Sequence, residues 1–145
     1  MKKIYSRVDE GKLLHIINRY DEIESRTDVA PTDEFLQLAT LKMEKGKTFR
    51  PNKHIWKDNP SGHFGKVIAQ ESWVVIKGSV KCHLYDTDDQ LLREEVIRQG
   101  DCSMTFAGGH TYTILEDDTV VYEYKTGPYE GQANDKVFLD ELNKD

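Results

Sequence analysis

Cysteine is scarce in this chain, long apolar runs are missing and there is no surplus of basic residues; each shortage removes a class of protein. Two cysteines, Cys82 and Cys102, in 145 residues cannot build a disulfide framework. They share no CxxC spacing, and the expectation is that they stay reduced in the cytosol, with a single bridge between them left open. No stretch approaches the roughly 18 apolar residues of a membrane span. The opening Met1-Lys2-Lys3-Ile4-Tyr5-Ser6-Arg7 leads into charged residues and not into a signal-peptide core, so a cytoplasmic location is expected. With 20 Lys plus Arg against 26 Asp plus Glu, a net charge of -6 and interspersed signs, the chain lacks the basic stripe that nucleic-acid binding requires. Repeats, low-complexity tracts and Pro/Gly/Ser-rich linkers are also missing, which leaves one domain. A chain of this length buries about 68–70% of its unfolded surface without staples, so any metal it holds serves function and not folding.

From Phe35 onward there are short runs rich in Val, Ile, Tyr, Trp and Thr, separated by Gly, Asn and Asp turns, the mark of strands. The runs are Phe35 to Met43, Thr48 to Arg50, His54 to Trp56, Ser72 to Lys77, Val80 to Tyr85, Leu91 to Arg98, Thr111 to Leu115 and Thr119 to Lys125. Lys77-Gly78-Ser79, Asp86 to Gln90 and Glu116 to Asp118 read as hairpin turns. Many short strands with little helix predict an all-β, antiparallel jelly-roll barrel. The segment Lys12 to Tyr20 is read as a strand and Asp135 to Leu142 as a short helix.

Three segments carry metal-ligating side chains. In Asn52-Lys53-His54-Ile55-Trp56, strand alternation puts Asn52, His54 and Trp56 on one face; in Glu71-Ser72-Trp73-Val74-Val75 it does the same for Glu71, Trp73 and Val75. Gly100-Asp101 opens a third segment, which ends in a glycine corner, Ala107-Gly108-Gly109, presenting His110.

These segments resemble the two motifs of the cupin superfamily: His-x-His, a downstream Glu, six residues and Gly; then Gly-Asp, a short strand, a Pro-x-Gly corner and His. Six residues separate Glu71 from Gly78, and Gly100-Asp101 through His110 is similar to the second motif. The likeness covers roughly residues 35–125 and has three departures. Asn52 stands where the first His is usual, substituting a carboxamide oxygen, a poorer donor to a transition metal. Sixteen residues separate His54 from Glu71, an inserted loop that contains His63. Phe106 replaces the usual Pro, and the corner is one residue shorter.

The resemblance implies a barrel over residues 35–126, an N-terminal extension over 1–34 that packs on the barrel or across a dimer, and a tail over 127–145. It implies a metal site of His54, Glu71 and His110 with Asn52 as fourth ligand or hydrogen-bonding neighbour, holding a divalent Fe, Mn, Ni, Zn or Co. His63 is a substitute ligand or proton carrier. The bland alternative leaves both histidines hydrogen-bonded in a polar pocket and Glu71 paired to a cation such as Lys53, Lys77 or Lys81.

Trp56 and Trp73, with Tyr112 and Tyr122, are candidate substrate-binding residues, because their faces stack on sugar rings while their polar tips meet hydroxyls. Glu123 shares a face with Val121 and Lys125 and is a candidate general base. Thr126 to Gly131 reads as a strand end or a lid carrying Tyr129. Similar small cupins with the same Gly-Gly-His corner lie near genes for surface sugars. The expected function is therefore a metal-dependent isomerase or epimerase acting on a carbohydrate or sugar nucleotide. The alternatives are a non-catalytic sugar-binding module and a non-haem iron oxygenase. A small molecule is the expected partner, with neither nucleic acid nor membrane, and the expected assembly is a homodimer that exchanges Ile4 to Ile23.

Overall fold

A computed structural model describes residues 1–59 and 65–139. In chain order the strands are β1 (Lys2–Tyr5), β2 (Leu13–Ile17), β3 (Thr27–Asp28), β4 (Leu36–Met43), β5 (Asn52–His54), β6 (Trp56–Asp58), β7 (Lys66–Ile68), β8 (Glu71–Lys77), β9 (Ser79–Tyr85), β10 (Leu91–Arg98), β11 (Cys102–Thr105), β12 (Gly109–Ile114) and β13 (Thr119–Thr126). A single helical turn, α1 (Gln132–Asp135), then leads into β14 (Lys136–Phe138). Two five-stranded antiparallel sheets, ordered β10-β9-β12-β5-β14 and β11-β8-β13-β4-β3, make the body. They face each other as a jelly roll that hydrogen bonds do not close into a continuous cylinder. Two hairpins, β1-β2 and β6-β7, form separate two-stranded sheets.

Between the sheets, inward positions change character along each strand. On β8 they run Glu71, Trp73, Val75; on β12 His110, Tyr112, Ile114; on β13, in reverse, Lys125, Glu123, Val121. The aliphatic end joins Leu41, Met43, Val80 and Cys82 in one core, in which Val75, Val80 and Val121 are completely buried. Full burial of a Val-sized side chain is worth about 1.5–3 kcal/mol, so this end supplies the stability. The polar end is left to line a cavity. Between them lie the stacked rings of Trp73 and Tyr112, with centroids 3.9 Å apart and planes 8° apart. Gly78 turns β8 into β9 at φ +85°, where a Cβ would sit 2.3 Å from Thr119 Oγ1. Only glycine fits there.

Several expectations need adjusting. The expected helix from Asp135 to Leu142 ends at its first residue, because Lys136, Val137 and Phe138 pair with His54, Lys53 and Asn52 and become an edge strand. Residues beyond Leu139 lie outside the described part. Thr48 makes one isolated bridge, to Thr113, and the run to Arg50 forms no strand. The expected strand from His54 to Trp56 is split between two sheets: β5 ends at His54, its register with the tail running on to the Ile55 N–H, which donates to the Asp135 carbonyl at 3.1 Å, and Trp56 opens β6, which pairs with β7. The body also draws β3 and β14 from either side of residues 35–126. Among the described residues, Cys82 is buried, Cys102 is exposed and both are free. No described helix is long and apolar enough to cross a membrane.

Candidate metal centre

Alternation along β5 turns Asn52 and His54 inward and leaves Lys53 outside, where its Nζ meets Asp89 Oδ1 at 2.6 Å. On β12, His110 pairs directly with Asn52, so the two side chains are nearest neighbours on the inner face. The glycine corner makes this approach possible. Gly108 has φ +81°, and a Cβ there would stand 2.5 Å from the Tyr85 carbonyl; one on Gly109 would stand 2.8 Å from Leu139 Cδ1. Glu71 enters from β8 in the opposite sheet, so the site spans the sandwich.

One ligand atom from each of His54, Glu71 and His110 lies within 4.8 Å of the other two, and all three residues are buried. His54 Nε2 is 3.2 Å from Glu71 Oε2, and His110 Nε2 is 3.3 Å from Glu71 Oε1. The Trp73 indole N–H is shared between Glu71 Oε1 and Glu123 Oε2, both at 3.1 Å. On the far side of the His54 ring, Nδ1 lies 3.3 Å from both Oδ2 and the carbonyl oxygen of Asp135. Asp135 Oδ2 also takes Lys125 Nζ at 3.0 Å, and Oδ1 lies 3.5 Å from Lys57 Nζ. Burial disfavours a charged His54 ring, but the hydrogen bonds to Asp135 and Glu71 outweigh it and push the pKa up to about 9. For Glu71, burial likewise opposes the charge, and the bonds from His110 and His54 hold the carboxyl well below the usual range. Asp135 is held low in the same way, by His54 and Lys125 against burial. Burial, reinforced by the nearby Glu71 charge, raises the Tyr112 phenol, which meets Ser103 Oγ at 3.0 Å.

The cavity next to this cluster has a volume of about 590 Å³. Asn52, Glu71, Trp73, His110, Tyr112 and Glu123 all line it, so most of the residues singled out in the sequence meet in one place. Glu123 is inward and 14% exposed, held by Arg26 at 3.0 Å as well as by Trp73. Tyr129, from the segment after β13, reaches the cavity and lies under Lys125 Nζ at 4.6 Å. Trp56 and Tyr122 are placed elsewhere. Trp56 sits on the β6-β7 hairpin, 61% exposed, because the strand breaks at Ile55. Tyr122 alternates to the opposite face of β13 from Glu123. Trp73 is 2% exposed with one face covered by Tyr112, so it forms the floor. Of the expected cation partners of Glu71, Lys53 meets Asp89, Lys81 meets Glu94, and Lys77 lies exposed at the opposite end of β8. His63 lies outside the described residues. Sequence reasoning missed Asp135 and Arg26; neither falls in a motif, and only folding brings them to the site.

The donor set suits a divalent ion. Two imidazoles and a carboxylate match Fe, Mn, Co, Ni or Zn, and bound donors typically sit roughly 2.0–2.2 Å from such a metal, so a small contraction around an ion would suffice. Two buried polar atoms, Asn52 Oδ1 and His110 Nδ1, have no hydrogen-bond partner among the described residues. Asn52 donates its Nδ2 to the Arg50 carbonyl at 3.1 Å, which leaves its oxygen as the available donor atom.

No family model and no curated protein matches the sequence. Solved structures do match the fold. A conserved protein with a double-stranded β-helix domain from Klebsiella pneumoniae superposes with TM-score 0.56 at 14% identity, covering 95% of this chain and 97% of that one. The capsular polysaccharide assembling protein CapF of Staphylococcus aureus gives TM-score 0.62 at 16% identity over 86% of this chain and 34% of its own. Bacillus subtilis oxalate decarboxylase, a protein with Mn(II) centres, gives 0.51 at 19% identity over 75% of this chain and 25% of its own. The chain thus spans nearly all of the first protein, but about a third of the second and a quarter of the third. The fold is a double-stranded β-helix, the architecture that the resemblance of the two motifs leads one to expect.

Proposed function

We propose that the protein is a divalent-metal-dependent enzyme acting on a carbohydrate or sugar nucleotide, as an isomerase or epimerase. The observation that carries this is the convergence of His54, Glu71 and His110, the last two lining a 590 Å³ cavity, beside the Asn52 oxygen, which has no hydrogen-bond partner among the described residues. Likeness to CapF, a capsular polysaccharide assembling protein, supports a sugar ligand, and likeness to a protein with Mn(II) centres supports a divalent metal. A metal bound here would supply a Lewis acid that polarises a carbonyl or hydroxyl oxygen.

The chain's own groups supply the rest. Glu123 is separated from Glu71 by a single shared indole N–H and is the proton acceptor. Arg26 orients that carboxylate, and the buried Trp73–Tyr112 stack underlies the cavity in which a sugar would sit. His63 is a second candidate proton carrier. Binding a small molecule in the cytosol, the enzyme pairs as a homodimer through the β1-β2 hairpin, on which Tyr5, Leu14 and Ile17 are 52%, 48% and 41% exposed.

One observation favours a second reading, a non-catalytic sugar-binding module: without an ion, Glu71 already receives both histidines and Trp73. The deciding experiment is metal analysis of protein purified without a metal-binding tag. A thermal-shift panel of Mn, Fe, Co, Ni and Zn with sugars and sugar nucleotides follows, since a ligand of the native state raises apparent stability. Any stabilising sugar is then incubated in D2O with the loaded protein and followed by NMR for deuterium uptake at carbon. Metal binding with exchange supports the enzyme; sugar binding without exchange supports the module. Oxygen-dependent turnover with Fe(II) would point to an oxygenase. If neither metal nor sugar shifts the melting temperature, the proposal fails.

A further inference from the structure

We propose that Asp135 is a positioning residue of this centre: its carboxylate, delivered by the C-terminal segment, fixes the His54 ring with Nδ1–H toward the tail and Nε2 toward Glu71. The inference rests on the metal reading above and adds a residue that neither cupin motif contains.

Three observations carry it. Asp135 is 1% exposed although Gln132, Ala133 and Asn134 before it are all exposed, so the tail buries a charge at one point. A buried carboxylate is costly unless it is paired. Its partners are His54 at 3.3 Å and two lysines from separate elements, Lys125 on β13 and Lys57 on β6. The β14 register, Lys136 opposite His54, fixes the carboxylate behind the ring. Finally, the two imidazoles differ: among the described residues His110 Nδ1 has no hydrogen-bond partner, while His54 Nδ1 has Asp135. An imidazole that donates its second N–H to a carboxylate is locked in one tautomer and is a stronger donor to metal. Docking of the tail is thereby made part of the metal site.

The competing explanation is that the Asp135 backbone carbonyl, also 3.3 Å from Nδ1, holds the ring, while the carboxylate only ties the tail down through Lys57 and Lys125. Full-length Asp135→Ala and Asp135→Asn separate the two. Mn(II) affinity is read by EPR titration and folding by urea titration. The His54 Nδ1–H resonance is read by 1H–15N NMR of Zn(II)-loaded protein. Loss of a supporting partner of this kind weakens metal binding about 10–100-fold, the loss expected for the Ala variant. The near-isosteric Asn variant keeps an acceptor oxygen without the charge and should lose less, while its His54 Nδ1–H signal moves upfield and the His110 signals stay in place. An Asn variant that is folded, binds Mn(II) like wild type and leaves that resonance unmoved overturns the proposal, even if the Ala variant does not fold. If wild type binds neither Mn(II) nor Zn(II), this proposal and the metal reading fall together. Wild-type binding with an unaffected Asn variant removes this one alone.

Discussion

Metal binding at this centre must displace a proton from His54, and that requirement sets the pH dependence of affinity. The ring is cationic between Glu71 and Asp135 with its pKa raised to about 9, against an ordinary value of 6.5. A ligating imidazole must give up its Nε2 proton. At pH 7 the displacement costs two pH units at about 1.36 kcal/mol each, or about 2.7 kcal/mol, so apparent affinity at pH 7 is about 100-fold below its value above pH 9. Glu71, held low, stays ionised throughout and adds no slope of its own. For the metal-free fold the sign reverses. The raised His54 pKa contributes stability that is complete below 6.5 and is lost as pH rises through about 9. The assay is anaerobic Mn(II) titration calorimetry at pH 7, 8 and 9 at constant ionic strength, with buffers of different ionisation enthalpy at pH 7 to count protons. The expected result is about a tenfold gain per pH unit that levels off above 9, with at least one proton released at pH 7. A flat affinity, or no proton release, would refute the reasoning, because His54 would then be neutral in the free protein or absent from the metal's shell.

Asn52→His supplies an imidazole beside His110 and should raise Zn(II) or Ni(II) affinity at least tenfold, checked by competition with a chromogenic chelator; unchanged affinity would place position 52 outside the shell. Glu71→Gln leaves both histidines and Trp73 facing an amide. It should abolish metal binding and destabilise the fold by about 3 kcal/mol in urea titration at pH 7. Gly78→Ala forces a Cβ to within 2.3 Å of Thr119 Oγ1 at positive φ. The expected cost is about 1–3 kcal/mol by urea titration, with metal affinity in the folded fraction unchanged because the turn lies at the core end.

The β6-β7 insertion shows where local reading stops. Period-two alternation places Trp56 with His54, and the arithmetic is sound as long as the strand continues. The chain instead changes sheet there: Ile55 still bonds to the tail, eighty residues away at Asp135, while Trp56 pairs with Ile68, and no local signal announces the change. The tail has the same problem. Good helix formers surround Val137 and Phe138, yet the open edge of β5 captures them as a strand, since tertiary pairing overrides a weak propensity. Alternation alone put Glu123 on one face with Val121 and Lys125 but left open whether that face meets solvent or the interior, and its partners Trp73 and Arg26 were not legible.

What the sequence determined by itself was everything with a short period or a fixed spacing. The all-β class follows from short apolar runs broken by turns. The inward faces of Glu71-Trp73-Val75 and Asn52-His54 follow from the pleat, and the likeness to cupins from two motifs. What only the tertiary structure decided was which faces meet. His54 and Glu71 lie in opposite sheets and reach 3.2 Å through packing of the two layers, and Asp135 arrives behind His54 through the register of an edge strand. Strand periodicity is a property of neighbours along the chain. A site depends on positions across a sandwich, set by which sheet each strand joins, and residues such as Asp135 become part of the chemistry only once that choice is made.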